Sequence, residues 1–461
     1  MSAGLARRAA FSRLPLRYAG TALLLGAALL AAPRAAAAET VAILGGTVYP
    51  VSGPKIAGGT VVIRAGRIAA VGANVAIPPG ARRIDARGKI VTPGLIDAYT
   101  QLGLVEVDAE RSTRNDRAND LIAADFRAWE GVFSRSAYIA STREDGITSV
   151  GVMPSGPFVA GQAAVLDLSD GTAAEMLRRG PVAMVASVTG GNLFGSDAEE
   201  NAGRAGETAG PGSVTTAPRS RAEAFALLRQ VLEDARWYGA HRARYDAGAN
   251  RVLAASRAAL EALQPVVAGR EPLLLQADRV DDIEAALRLA REARVRLAIV
   301  GGAEAWEIAP RLAAARVPVL AGAMNNIPAS FDTLGARQDN LSLLRRAGVE
   351  IAIVGNGGGD EAAFNARNVK YEAGNAVAYG LSHDDALRAL TLGPATILGV
   401  ADRIGSLAPG KDANVVVWSG DPFEFASAPE HVFVRGREYR DHSRQDQLIE
   451  RYRHLPRSTR G

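Results

Sequence analysis

The 461-residue chain contains no cysteine. That excludes a disulfide framework, a thiolate nucleophile, a cysteine metal site and a lipid-modified cysteine anchor. Histidine is nearly as scarce, at His241, His383, His431, His442 and His454, and between Pro93 and Ser382 only His241 occurs. A catalytic zinc site draws on about three His or carboxylate ligands and leaves one position open. The middle of this chain therefore holds little from which to build one around imidazole. Lysine is limited to Lys55, Lys89, Lys370 and Lys411, so none lies between Lys89 and Lys370.

What is abundant is apolar residues, at 48%, and glycine, at 49 positions. A chain of this length and composition can bury one large core and a smaller one. The formal charge of +4 comes from the first 38 residues, where Arg7, Arg8, Arg13, Arg17 and Arg34 stand without a single acid. The rest is close to neutral, which gives no support for nucleic-acid binding.

Residues 1–38 also have the order of a secretory signal: arginines, an apolar run from Ala19 to Ala32, then Ala36-Ala37-Ala38 before Glu39. The apolar run is short for a bilayer span. The expectation is a cleaved leader with no stable membrane span after it, and hence a periplasmic or secreted protein. Arg7-Arg8 followed by Phe11 also fits a twin-arginine signal.

From Thr40 to about Ile90, short apolar stretches alternate with glycine turns: VAILGGTVY, GGTVVIRAGRIAAVG and ARRIDARGKIV. The same texture returns in IGSLAPGKDANVVVWSGDP and HVFVRGREY. Both read as antiparallel β-structure, and together they predict a small composite β-sandwich built from both ends of the chain. The middle is different. TSVGVM, VAMVASV, PLLLQAD, RLAIVGG, VPVLAG and IAIVGNG read as strands buried on both faces. Helical periodicity separates several of them, as over Val280 to Arg294, where Ile283, Ala286, Leu287 and Ala290 share a face. The rhythm predicts an α/β fold, a TIM-like (β/α)8 barrel with chemistry at the C-terminal strand ends. The expected division is a signal peptide over 1–38, β-sandwich over 39–92 and 396–440, barrel over 93–395, and a basic tail over 441–461. Two irregular stretches, Glu106 to Asn119 and Thr189 to Ala217, read as a lid or as plain surface loops.

VTPGLIDAYTQLG, from Val91 to Gly103, resembles the strand-one signature of the amidohydrolase superfamily, in which Pro-Gly-Leu-Ile-Asp leads into His-x-His. PLLLQADRVDDIEAALRLA, AIVGGAEAW and VEIAIVGNGGGD resemble later strands of its imidazolonepropionase-like members. NVKYEAGNAVAYGLSHDDALRALTLGPATILGVADRIGSLAPGKDANVVVW is similar to the family's C-terminal run. The resemblance covers about Thr40 to Asp421, and it implies a metal-dependent hydrolase fold that would use zinc.

Carried over one position at a time, the family's metal ligands are absent. The strand-one histidines fall on Tyr99 and Gln101. The next falls on Gln276, with Asp278 two residues later, and the following strand's histidine falls on Gly301. The strand-eight aspartate, ligand and proton acceptor in the family, falls on Asn356. A neutral amide cannot serve as that base. Nor does the barrel before Lys370 offer a lysine to be carbamylated.

Two uses remain open for the nearby carboxylates Asp278, Glu304 and Asp360. They could form an oxygen-rich site suited to Mg or Ca. Alternatively Glu304 caps a helix, Asp278 pairs with Arg279 or another neighbour, and Asp360 ends a glycine turn. Ser155 and Ser187 lack a G-x-S-x-G elbow, and His383 sits in a capping box, Ser382-His-Asp-Asp385.

The resulting expectation is an exported amidohydrolase-like protein without cofactor that has lost the family's hydrolysis of C–N bonds. It would act as a pseudoenzyme binding a small polar ligand between Tyr99, Gln101, Gln276 and their neighbours. The alternatives are a working hydrolase with a rearranged carboxylate site, and a non-catalytic subunit, homo-oligomeric or paired with an active homologue.

Overall fold

The computed structural model describes residues 39–156, 158–190, 217–324, 326–355, 360–440 and 444–453. It contains sixteen strands in two sheets. The first sheet takes β1 (Val41–Val48), β2 (Ile56–Arg64), β3 (Arg67–Gly72), β4 (Arg82–Asp85) and β5 (Ile90–Pro93) from one end of the chain. From the other end it takes β14 (Val415–Trp418), β15 (Pro429–Val434) and β16 (Arg437–Tyr439). The two contributions join where β14 runs antiparallel to β5, Val417 opposite Val91. Alternating residues of these strands, among them Ile43, Ile63, Val91, Val415 and Phe433, close a core separate from the barrel's.

The second sheet is a nearly closed ring of eight strands: β6 (Leu95–Thr100), β7 (Ile147–Val152), β8 (Val159–Asp167), β9 (Leu177–Ser187), β10 (Pro272–Ala277), β11 (Arg296–Gly301), β12 (Val319–Ala321) and β13 (Ile351–Ile353). Each of the six apolar runs read as a barrel strand contributes a strand to it. The all-parallel (β/α)8 expectation needs one correction, because β8 is antiparallel to both β7 and β9. Six residues separate Val152 from Val159, too few for the crossover that a parallel neighbour requires. The chain makes a hairpin there instead.

Alternation along the strands sorts their residues. Leu274, Ala298, Leu320 and Ala352 point into the barrel, while Leu273, Leu275, Ile299 and Ile353 pack outward against the helices. Between β13 and β6 no ladder forms. There the Ile96 N–H donates to the Leu390 carbonyl at 2.8 Å. The helix Leu392–Ile397 packs against the same seam, with Ala395 and Ile397 in the interior core.

A buried ionic knot fixes the first sheet to the barrel. Asp167, at the end of β8 and fully buried, accepts from Ser149 (2.7 Å), Arg178 (2.9 Å) and Arg435 (2.5 Å). Arg178 reaches on to Asp412 at 2.7 Å. Each charge thus has a partner of opposite sign, the condition for tolerating charge in a low-dielectric interior.

Lys370, also buried, is tied to Asp145 at 2.6 Å. The helix expected over Val280 to Arg294 spans Val280–Glu292, with Leu289 buried and Leu287 only partly so. The stretch Glu106 to Asn119 is anchored to the body, with a 3-10 turn at Arg111–Thr113 and the Asn115 N–H on the Leu104 carbonyl. Most of Thr189 to Ala217 lies outside the described residues.

Candidate functional site

The parallel strands deliver their last residues to one end of the barrel. Tyr99 is the penultimate residue of β6 and Gln276 that of β10, four strands away in an eight-stranded ring. They therefore face each other along a diameter, and the Gln276 Nε2 donates to the Tyr99 hydroxyl at 2.8 Å. Gln276 points inward because it follows Leu274 in the period-2 alternation. On β6, Ile96 and Ala98 point inward, yet Tyr99 also packs against the interior core. The register shift between Asp97 and Thr100 in the β6–β7 pairing accounts for this. Burial raises the Tyr99 phenol above its ordinary pKa. It stays protonated at neutral pH.

Gln101 is buried, and its Oε1 has no hydrogen-bond partner among the described residues. A buried acceptor left empty in this way is rare enough in folded chains to need an explanation.

Gly301 ends β11 with φ at +86°. A Cβ there would run into the Asp278 carboxylate, meeting its Oδ1 and lying 3.2 Å from Cγ. Glycine here serves both the left-handed backbone and the space the carboxylate fills. Of the two partners expected for Asp278, Arg279 or another neighbour, the structure gives a neighbour: Asp278 accepts from the Ala303 N–H at 3.3 Å, and Arg279 lies 3.6 Å from Asp281. Burial pushes the Asp278 carboxyl up to about 6, against the lowering effect of the Ala303 N–H.

Glu304 has both oxygens committed to backbone, one to the Val280 N–H and one to the Gly335 N–H, each at 2.9 Å. Asn356 lies outside the described residues. Asp360 opens a short helix, Asp360–Phe364, and the glycines before it lie outside the described residues. Among the described residues, no three His, Asp or Glu side chains converge on a point that could hold a metal ion.

Of the histidines, His241 caps the helix Arg221–Ala240 and bonds the Trp237 carbonyl. His383 contacts Asp421 at 3.0 Å, and His431 pairs with Glu438. His442 and His454 lie outside the described residues. Ser155 bonds Asp116, and Ser187 bonds Thr189.

One residue beside the site went unrecognised in the sequence. Asp97, within the Pro-Gly-Leu-Ile-Asp run, is 1% exposed and accepts the Tyr99 N–H at 3.1 Å. Burial, with a smaller push from Glu372, raises its carboxyl to about 8. No sequence signal marks it beyond its membership of the signature itself.

A nearly closed barrel with a sheet from both chain ends, and polar residues gathered at the C-terminal strand ends, defines an amidohydrolase-type scaffold. The comparisons agree. The amidohydrolase family model matches residues 245–439. The crystal structure of an amidohydrolase from Thermotoga maritima MSB8 matches with a TM-score of 0.75 at 27% identity, covering 87% of this chain and 100% of that one. Amidohydrolase tasK of Hapsidospora irregularis is 25% identical over 374 residues, which are 78% of this chain and 37% of that protein. The chain thus spans little more than a third of the length of that curated relative. A prolidase solved with N-methylphosphonate-L-proline shares the fold, with a TM-score of 0.51 at 18% identity over 87% of this chain and 99% of that one. The chain thus matches the amidohydrolase family model over part of its length, and its structural neighbours are members of the amidohydrolase superfamily.

Proposed function

We propose that this chain has lost the superfamily's metal-water mechanism and acts as a pseudoenzyme that binds a small polar ligand at the barrel mouth. One observation carries the proposal: Tyr99 and Gln276, where the resemblance expects metal ligands, are bonded to each other across the barrel. A neutral phenol and a primary amide are poor zinc ligands, and zinc would have to break their mutual bond to reach either. Gly301 offers no side chain at all. The residues present do not fit zinc.

What they suit is recognition. The mouth offers a phenol and an amide, and Gln101, two residues beyond Tyr99, adds a buried acceptor with no partner among the described residues; such groups fix the orientation of an uncharged ligand by hydrogen bonds. The ancestral substrates, cyclic amides, imidazolones or dipeptides, carry amide N–H and carbonyl groups that match such a lining. The reading places the protein outside the cytoplasm, with residues 1–38 removed; an exported protein beginning at Glu39 is the check on that part. No helix among the described residues is long and apolar enough to cross a membrane.

A second reading has one observation in its favour. Asp278, its carboxyl raised by burial to about 6, would serve as the general base of a rearranged hydrolase. The test is an assay of the purified full chain on amide, imidazolone and dipeptide substrates with zinc or magnesium supplied. No turnover above background is expected. Turnover that a chelator abolishes, or that Asp278→Asn removes, would overturn the pseudoenzyme proposal. Association with a catalytic homologue is a separate proposal, which co-purification of a His-x-His-bearing relative would support.

Returning the family's histidine at one position is expected to fail for a local reason. Gly301→His imposes a left-handed backbone on a residue with a Cβ and displaces the Asp278 carboxylate. The expected outcome is a loss of about 2 kcal/mol in denaturant unfolding without gain of zinc affinity. Unchanged stability would show that the loop from Gly301 to Glu304 yields easily.

A further inference from the structure

The opposite end of the barrel carries a feature that the ligand site does not use. A cleft of about 850 Å³ opens beside the N-terminal ends of β10, β11 and β12, where Pro272, Arg296 and Pro318 lie. Five arginines line it: Arg288, Arg291, Arg296, Arg311 and Arg316. Its floor is apolar, with Leu287, Ala290, Val295, Leu297 and Val317. In barrels of this architecture the N-terminal face ordinarily serves stability. Five like charges around one opening work against that.

The local anions leave much of this charge unanswered. Glu284 serves both Arg311 and Arg288, the latter at 3.9 Å. Glu350 also lines the cleft but is held by Arg388 at 3.0 Å. The Arg296 Nη1 donates to the Arg270 carbonyl at 3.1 Å, which satisfies a donor without neutralising a charge. Arg291 and Arg316 have no side-chain partner among the described residues. Arg316 also sits at the C-cap of the helix Ala309–Ala315 with φ at +53°. Glycine is the usual residue at such a left-handed cap. The chain accepts a strained backbone at an arginine that lines the cleft.

We propose that this cleft binds a phosphorylated organic molecule, its phosphate oxygens on the arginines and its apolar body on the floor. Guanidinium groups bind phosphate through paired N–H donors. The volume falls within the range of small-molecule sites. Neither the superfamily's chemistry nor the mouth residues take part, so the site stands or falls apart from the pseudoenzyme reading.

The test is calorimetric titration of the full chain with ATP and, separately, with inorganic tripolyphosphate at two salt concentrations. Saturable one-to-one binding is expected, tighter for ATP because of the apolar floor and weaker at high salt. The double variant Arg291→Ala/Arg316→Gly should weaken ATP binding at least tenfold while keeping the melting temperature, since glycine suits the Arg316 backbone. Three outcomes would overturn the proposal: no saturable binding of either probe, binding equal in the variant, or association only with vesicles containing phosphatidylglycerol. The last would mean that the arginines face a lipid surface.

Discussion

Gly94→Ala is expected to destabilise the fold by about 3 kcal/mol or more, enough to remove soluble protein at growth temperature. Gly94 links β5 of the first sheet to β6 of the barrel, and its N–H donates to the Asn414 carbonyl at 3.0 Å. A methyl group there would lie 2.6 Å from the Thr148 Cβ and closer still to its two γ atoms. Thr148 is fully buried on β7 and is β-branched, so its side chain has little freedom to step aside. Overpacking of a core typically costs 1–3 kcal/mol, and more where neither neighbour can move. The second glycine test, Gly151→Ala, puts a methyl 2.8 Å from the Ala98 carbonyl carbon and should behave likewise. Urea unfolding checks both. A loss under about 1 kcal/mol for Gly94→Ala would show that β6 and β7 are held less tightly than the geometry implies.

Asp97→Asn is expected to stabilise the protein at pH 8 by roughly 5 kcal/mol and to leave it nearly unchanged at pH 4. The sign follows from the direction of the shift. Burial raises the Asp97 carboxyl to about 8 in the folded chain, whereas the unfolded chain releases the proton near 4. Between those limits the folded state holds a proton that the unfolded state has given up. Stability is therefore fullest below about pH 4 and declines as pH rises through 8, by at most about 1.4 kcal/mol per unit. Asparagine keeps an oxygen for the Tyr99 N–H and carries no charge at any pH. Unfolding of wild type and variant across pH 4 to 9 should give curves that diverge with rising pH. Parallel curves would show that Asp97 ionises in the fold and that some group neutralises it.

How much of this was legible in the residues depends on what hydropathy encodes. Six apolar runs in the middle of the chain announced strands because burial on both faces leaves few polar positions. The same property hid β8. VAGQAAVLD is buried throughout, so it carries no alternation, and nothing in an apolar run states which way a strand points. The short spacing after Val152 was the available signal for a hairpin.

At the site, the resemblance located Tyr99, Gln276, Gly301 and their neighbours at strand ends. It could not show that Tyr99 and Gln276 bond to each other, since pairing over 177 positions depends on strand order and on the local register shift in β6. Asp278 was read either as part of an oxygen-rich metal site or as paired with Arg279 or another neighbour. Its carboxylate instead turns into the space that Gly301 leaves open, a fit visible only once β10 and β11 are in register.

The proposal of a barrel without metal chemistry is tested most directly by the zinc content of the purified chain. Protein purified without chelator and equilibrated with zinc should, after gel filtration, carry far less than one ion per chain by elemental analysis. Stoichiometric zinc that survives gel filtration would contradict it, and would mean that the Tyr99–Gln276 bond opens to admit a metal.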